Sequence, residues 1–192
     1  MGEQRNKVKY GLANVHIWKI LTDTPEGATY DEVIRIPGAV DLSISAEGDE
    51  GVFYADNMKY FSMFANGGYS GDLEIALIPD EFNIKILGQK VDKNGAIYES
   101  ESDRPANFAM AFEFDGDKHA TRHILYNVAA SRPDITGHTT KESKEPQTDK
   151  IKISCSPLQQ GVIKLRLAEG KTGYNEFFTK PYLPQPAVGA TE

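Results

Sequence analysis

The chain has 192 residues, enough for one substantial domain that buries about 70% of the surface its unfolded form would expose, and too few for two full ones. Its 28 acidic residues against 21 basic give a formal charge of -7, which argues against a protein built to grip nucleic acid, because Lys and Arg supply the affinity for phosphates. A single cysteine, Cys155, excludes an internal disulfide and a cysteine-rich metal site, while 17 glycines and 10 prolines supply the turns of a chain of short strands.

Residues 1–7 are polar, lack the apolar core of a signal peptide and are read as a flexible N-terminus. No apolar run approaches the ~20 residues of a membrane span, so the product is expected to stay in the cytosol until it is assembled or released. Residues 8–20 alternate as a strand, with Tyr10, Leu12, Trp18 and Ile20 sharing parity and Asn14 and His16 interrupting that face. Thr24-Pro25-Glu26-Gly27 breaks it. A second strand around 31–36 meets Pro37-Gly38 and resumes with Val40, Leu42 and Ile44 inward and Asp41, Ser43 and Ser45 outward.

Residues 46–68 are long for a connection, since most have a median of ~4–6 residues. Phe53, Tyr54, Tyr60, Phe61 and Phe64 are too many aromatics for a solvated linker and need something to pack against. Two readings stand: a loop or short helix folded over its own domain, or an arm that buries these rings elsewhere. Residues 69–78 form a half-buried strand with Leu73, Ile75 and Leu77 inward and Asp72, Glu74 and Ala76 outward. Pro79 opens a short helix with Asp80 and Glu81 in its first turn; Phe82 and Ile86 lie one turn apart, and Gly88 ends it. Asp92-Lys93-Asn94-Gly95 carries an Asn-Gly hairpin signal, and 99–104 is a polar connection.

The central stretch, residues 107–133, reads as two alternating arms folded back across Asp115-Gly116-Asp117. Phe108, Met110, Phe112 and Phe114 share one face of the first arm; Ile124, Tyr126 and Val128 share one face of the second. Placing both sets on one side requires an odd number of residues in the loop. Residues 134–148 read as an exposed polar loop, 150–156 as a strand with Ile151, Ile153 and Cys155 inward, and 161–168 as a last strand. Three prolines, Pro181, Pro184 and Pro186, mark 180–192 as an extended tail. The outcome is one domain over 8–179, mainly β: a two-sheet sandwich or open barrel of about eight strands with one short flanking helix. Its expected core holds Val40, Leu42, Ile44, Leu73, Ile75, Leu77, Phe108, Phe112, Ile151 and Ile153.

Reactive constellations are scarce. Asp115, Asp117, His119 and His123 are the one crowded metal-capable set, but the rest of the calcium-loop pattern is missing, and His119 and His123 would lie about 13 Å apart along a strand. A turn with solvated acids is the better reading. No phosphate loop, Gly-x-Ser-x-Gly or His-Glu-x-x-His occurs, and His16 and His138 are read as surface residues. No catalytic residue, metal or cofactor is assigned.

Several segments carry a resemblance: YGLANVHIWKI (10–20), IPGAVDLSISAEGDEGVFYADN (36–57), GGYSGDLEIALIPDEF (67–82), FEFDGDKHATRHILYNVAASRP (112–133) and EPQTDKIKIS (145–154). Together they resemble the major tail tube proteins of long-tailed bacteriophages, the phi13-type family, over about residues 7–156. The resemblance implies a structural subunit of the virion tail, assembled in the host cytoplasm into hexameric rings that stack into a hollow conduit for double-stranded DNA. Its implied partners are itself, a tape-measure protein and the terminator and tip proteins. It also implies that 46–68 is a long hairpin loop, an arm that contacts neighbouring subunits and rings through Phe53, Tyr54, Tyr60, Phe61 and Phe64. Asp41, Ser43, Ser45, Asp72 and Glu74 are then candidates to line the channel, where acidic and small polar groups repel phosphates instead of binding them; the competing reading is an outside solvated face. A tube protein of a phage-derived injection system is a related alternative. A different class is a carbohydrate-binding sandwich whose Tyr54, Tyr60 and Tyr69 would stack on sugar rings.

Overall fold

Period-two alternation marks the strands of this protein that bury one face, because such a strand must place its apolar side chains two residues apart. The computed structural model describes residues 11–117, 120–137, 139 and 147–185. In chain order these form β1 (Leu12–Thr24), β2 (Gly27–Arg35), β3 (Ala39–Glu47), β4 (Glu50–Ala55), β5 (Met58–Phe64), β6 (Gly68–Ile75) and α1 (Asp80–Lys85). They continue as β7 (Lys90–Val91), β8 (Ile97–Tyr98), β9 (Phe108–Phe114), β10 (Arg122–Ala130), β11 (Asp149–Cys155) and β12 (Lys164–Leu167). The architecture is mainly β and antiparallel with one short helix, as the alternation predicts, and it packs as a sandwich.

Seven of the strands join in the order β2-β1-β9-β10-β11-β6-β3, and β12 adds to β10 alongside Arg122–Leu125, where β11 does not reach. The sheet folds so that its two halves face each other. Leu73, Ile75, Ile151 and Ile153 from β6 and β11 meet Val15, Ile17, Phe108 and Met110 from β1 and β9 in one buried cluster. The helix α1 closes a flank of that cluster with Phe82, Ile86 and Leu87, and Phe82 meets Phe108 edge-on at 5.9 Å. Pro79 stands at the N-cap, with Asp80 and Glu81 in the first turn and Lys85 in the last, the arrangement that suits the helix dipole.

Three inward assignments are corrected. Between β9 and β10, Arg122 pairs with Glu113, Ile124 with Ala111 and Leu125 with Met110. Leu125, rather than Ile124 or Tyr126, therefore shares the face of the Phe/Met set. A register shift before Val128 then brings that residue opposite Phe108. Alternation misleads here because both faces of the hairpin are buried. Val40, expected in the core, is exposed, because the β3–β6 ladder slips between Ala39 and Asp41. Leu77 is exposed because β6 ends at Ile75; Ile78 is buried instead.

In β1 the ladder to β9 shifts between Ala13 and His16, where Asn14 takes a φ of 52°. The bulge changes the parity of the strand. Leu12, Val15 and Ile17 consequently join the inner cluster, while Trp18 and Ile20 turn to the other side. That second side is covered by the C-terminal segment. Leu158, Phe177, Tyr182 and Leu183 pack with Trp18, Ala109, Ala111, Ile124 and Tyr126, and the Tyr126 hydroxyl donates to the Tyr182 carbonyl. The extended tail expected over 180–192 is thus packed through Leu183; residues 186–192 lie outside the described residues, as do the N-terminal segment 1–7 and Tyr10. So does the central part of the 134–148 loop.

Phe108→Ala should cost about 3–5 kcal/mol in a denaturant titration, since Phe108 is fully buried, whereas Leu77→Ala should stay within about 0.5 kcal/mol. A Phe108 cost under about 1 kcal/mol contradicts this placement.

Candidate functional site

The stretch 46–68 is neither loop nor helix but a β-hairpin. The strands β4 and β5 pair with each other as a separate two-stranded sheet. Asp56 and Asn57 turn the chain with φ values of 51° and 59°, which is the two-residue hairpin geometry that Asn and Asp tolerate best. Phe53 lies opposite Phe61, and Tyr60 sits at a register shift with its ring edge-on to Phe53 at 6.5 Å. The base of the hairpin continues the β3–β6 ladder through Glu47 opposite Gly68 and an Ala65 N–H to Asp49 carbonyl bond of 3.0 Å. Backbones approach so closely here that a Cβ on Gly48 would collide with the Ala65 carbonyl, and one on Gly68, whose φ is 115°, with the Cys155 carbonyl. Glycine is what lets the arm leave the sheet.

All five aromatics assigned to the arm, Phe53, Tyr54, Tyr60, Phe61 and Phe64, are 57–72% exposed, and Met58 and Met63 stand exposed beside them. A monomer gains nothing from such a surface, and a lone two-stranded hairpin is marginal in water. Aromatic side chains bury ~150–250 Å² each when covered, so seating even half of each of these five rings removes on the order of 500 Å² from water. The two methionines are not singled out by the sequence reading, although Met58 shares the parity of Tyr60, and Met63 that of Phe61, along β5.

The outward face of β3 and β6 carries the other assigned residues. Asp41 pairs with Glu74, Ser43 with Asp72 and Ser45 with Ser70. The strand β11 extends these rows with Lys150 beside Glu74, Lys152 beside Asp72 and Ser154 beside Ser70. Lys150 Nζ lies 3.1 Å from Glu74 Oε2, and the Thr148 hydroxyl donates to Glu74 Oε1. The Thr148 and Lys150 hydrogen bonds hold the Glu74 carboxyl below its usual range, and Glu74 in turn raises the Lys150 ammonium. What alternation presented as an acidic wall is a charge-laddered face in which two lysines oppose three carboxylates. Alternation places Lys150 and Lys152 outward, but which strand lies next to β6 is a long-range fact.

The tyrosines proposed for sugar stacking do not share a surface. Tyr69 turns inward against the first cluster, under Lys164 at 4.2 Å, while Tyr54 and Tyr60 stand on the arm. Of the set weighed for a metal, His119 lies outside the described residues. Asp115 accepts its neighbour Gly116 N–H at 3.0 Å, Asp117 accepts Thr121 N–H at 3.1 Å, and His123 stacks on Phe112 at 5.4 Å. These acids cap the turn. Among the described residues no group of three or more His, Cys, Asp or Glu could hold a metal. His138 also lies outside the described residues. His16, expected at the surface, is half-buried against Phe178 at 4.8 Å, and that burial holds its imidazole below the ordinary value despite a hydrogen bond with the Asn14 carbonyl. Cys155 is buried as expected, and burial pushes its thiol up. Among the described residues no helix is long and apolar enough to cross a membrane. The chain matches no family model and no curated protein.

Lysine at positions 41, 72 and 74 is therefore no neutral change for the subunit, as it would place like charges in rows beside Lys150 and Lys152. Glu74→Lys should lower the melting temperature, with the deficit shrinking as the Debye length falls from ~10 Å at 0.1 M salt to ~3 Å at 1 M. The wild-type contribution of Glu74 should be present above about pH 4.5 and fade as the pH falls through its depressed pKa. An unchanged melting temperature at low salt refutes the ladder.

Proposed function

We propose that this chain is a non-catalytic structural subunit that assembles with copies of itself into a hollow tube, as the tail tube proteins of long-tailed phages do. The observation that carries the reading is the β4–β5 arm, a hairpin whose strands pair, among the described residues, only with each other, and which is dressed with large exposed apolar side chains. Such a surface requires a partner. Copies of the same chain are the partner favoured here, because a projecting arm on one patch and a receiving surface on another make a heterologous contact, which closes into rings or grows into filaments. In the tail-tube reading six copies close a ring, the rings stack, and a tape-measure protein, a terminator and tip proteins complete the structure. Assembly takes place in the host cytoplasm and the product resides in the virion tail.

The polar face of β3, β6 and β11 is the candidate channel wall, through Asp41, Ser43, Ser45, Asp72 and Glu74. Its lysines moderate the repulsion that the acids alone would exert on DNA, so the wall offers a duplex neither a basic track to hold it nor a strong barrier. The carbohydrate-binding alternative is weaker, because Tyr69 is turned away from the surface that carries Tyr54 and Tyr60.

Removing residues 50–64 tests the reading without touching the core. Asp49 and Ala65 are already bonded across the base of the arm, so a tight turn joins them. The deleted protein should melt within a few degrees of wild type yet form no tubes by negative-stain microscopy under conditions where wild type does. Normal tubes from the deletion would end the proposal.

A further inference from the structure

A cleft of about 540 Å³ opens between β3 and β6 on one side and β9, β10 and β12 on the other. That volume lies inside the ~300–1,000 Å³ range of sites that take a sizeable ligand. Its wall is apolar and aromatic, with Leu42, Ile44, Phe112, Phe114 and Leu165; the charged side chains that line it among the described residues are Lys164 and Arg166, with His123 beside them and no carboxylate. The arm segment 46–68 has the opposite character, net -3 from Glu47, Asp49, Glu50 and Asp56 against Lys59, with aromatics and methionines between the charges. We infer that this cleft is the seat for the arm of a second copy of the chain.

Geometry separates this from a contact within one molecule. The arm springs from the Glu47–Gly68 end of the β3–β6 ladder, close to Ile44 and Tyr69, so its root borders the cleft of its own subunit. From there β4 runs six residues, about 20 Å, and its rings remain exposed. None of the arm's rings lines its own cleft, so among the described residues both surfaces are open to other copies. Arm and cleft are different patches, so every subunit offers one of each and the contact propagates instead of closing as a dimer. Basic lining residues facing an acidic arm steer the encounter, and the apolar wall holds it. This inference rests on the tube-subunit reading, adding where the arm goes.

Two full-length variants test it. In the first, Phe53→Asp with Phe61→Asp disables the arm and leaves the cleft; in the second, Lys164→Glu with Arg166→Glu reverses the cleft and leaves the arm. All four residues are exposed, so both variants should melt near wild type. Each alone should need about tenfold or more higher concentration to assemble. Mixed one to one, they retain one productive pairing, so sedimentation velocity should show heterodimers that do not grow. As a check independent of folding margins, Tyr60→Cys in one copy and Lys164→Cys in another, both with Cys155→Ala, should cross-link between molecules when oxidised. A cleft variant that forms tubes like wild type, a mixture that stays monomeric, or no intermolecular cross-link overturns the seat while leaving the tube reading standing. A wild-type protein that never associates overturns both.

Discussion

Everything else in this molecule follows from a hairpin that is apolar on both faces. In β9, Phe108, Met110 and Phe112 point to one side and Ala109 and Ala111 to the other, and all five are buried. One face is satisfied by folding the sheet on itself, so that β6 and β11 lie over it with α1 closing the flank. The other accepts only small side chains in β9, and those alanines leave room for Trp18, Tyr126 and Phe177 to meet above them. A segment of little regular structure after β12 thus becomes an integral part of the fold, held further by Arg122, whose guanidinium lies 3.9 Å from the Tyr174 ring centre and whose Nε lies 3.2 Å from Glu113.

With both faces of the hairpin committed, little apolar surface should remain, yet the arm keeps a concentrated patch of it outside the fold. Its glycines at the base and its Asp-Asn turn at the tip are local devices that make a projecting hairpin possible. The tube reading accounts for that separation: the sandwich supplies a stable body, the arm supplies association, and the ladder of acids and lysines supplies a polar surface that needs no partner. A binding module would place its aromatics on one platform, and Tyr69 is not on it.

Much of the fold was legible because β6 and β11 each bury one face, and strict alternation reports that directly; the helix was legible from Pro79 and the acids that follow it. Parity failed where a second condition entered. The bulge at Asn14, the slip beside Val40 and the two-sided burial of Ile124 and Leu125 all break the rule that equal spacing means equal side. The aromatics of the arm are legible in the sequence and its hairpin form follows from the resemblance alone, while the Asp56-Asn57 turn that closes it becomes evident only in the backbone. Lys150 and Lys152 were visible as outward residues, while their place beside the acids depends on pairing between strands about 75 residues apart in sequence. The packing of Phe177 and Tyr182 carries no periodic signal at all.

The central claim is that the folded chain associates with itself into a hollow tube. Negative-stain imaging of the purified full-length protein across a range of concentrations tests it most directly. The account predicts rings or filaments of even width with a stained central lumen. Monodisperse particles of a 21.2 kDa chain at every concentration would contradict it.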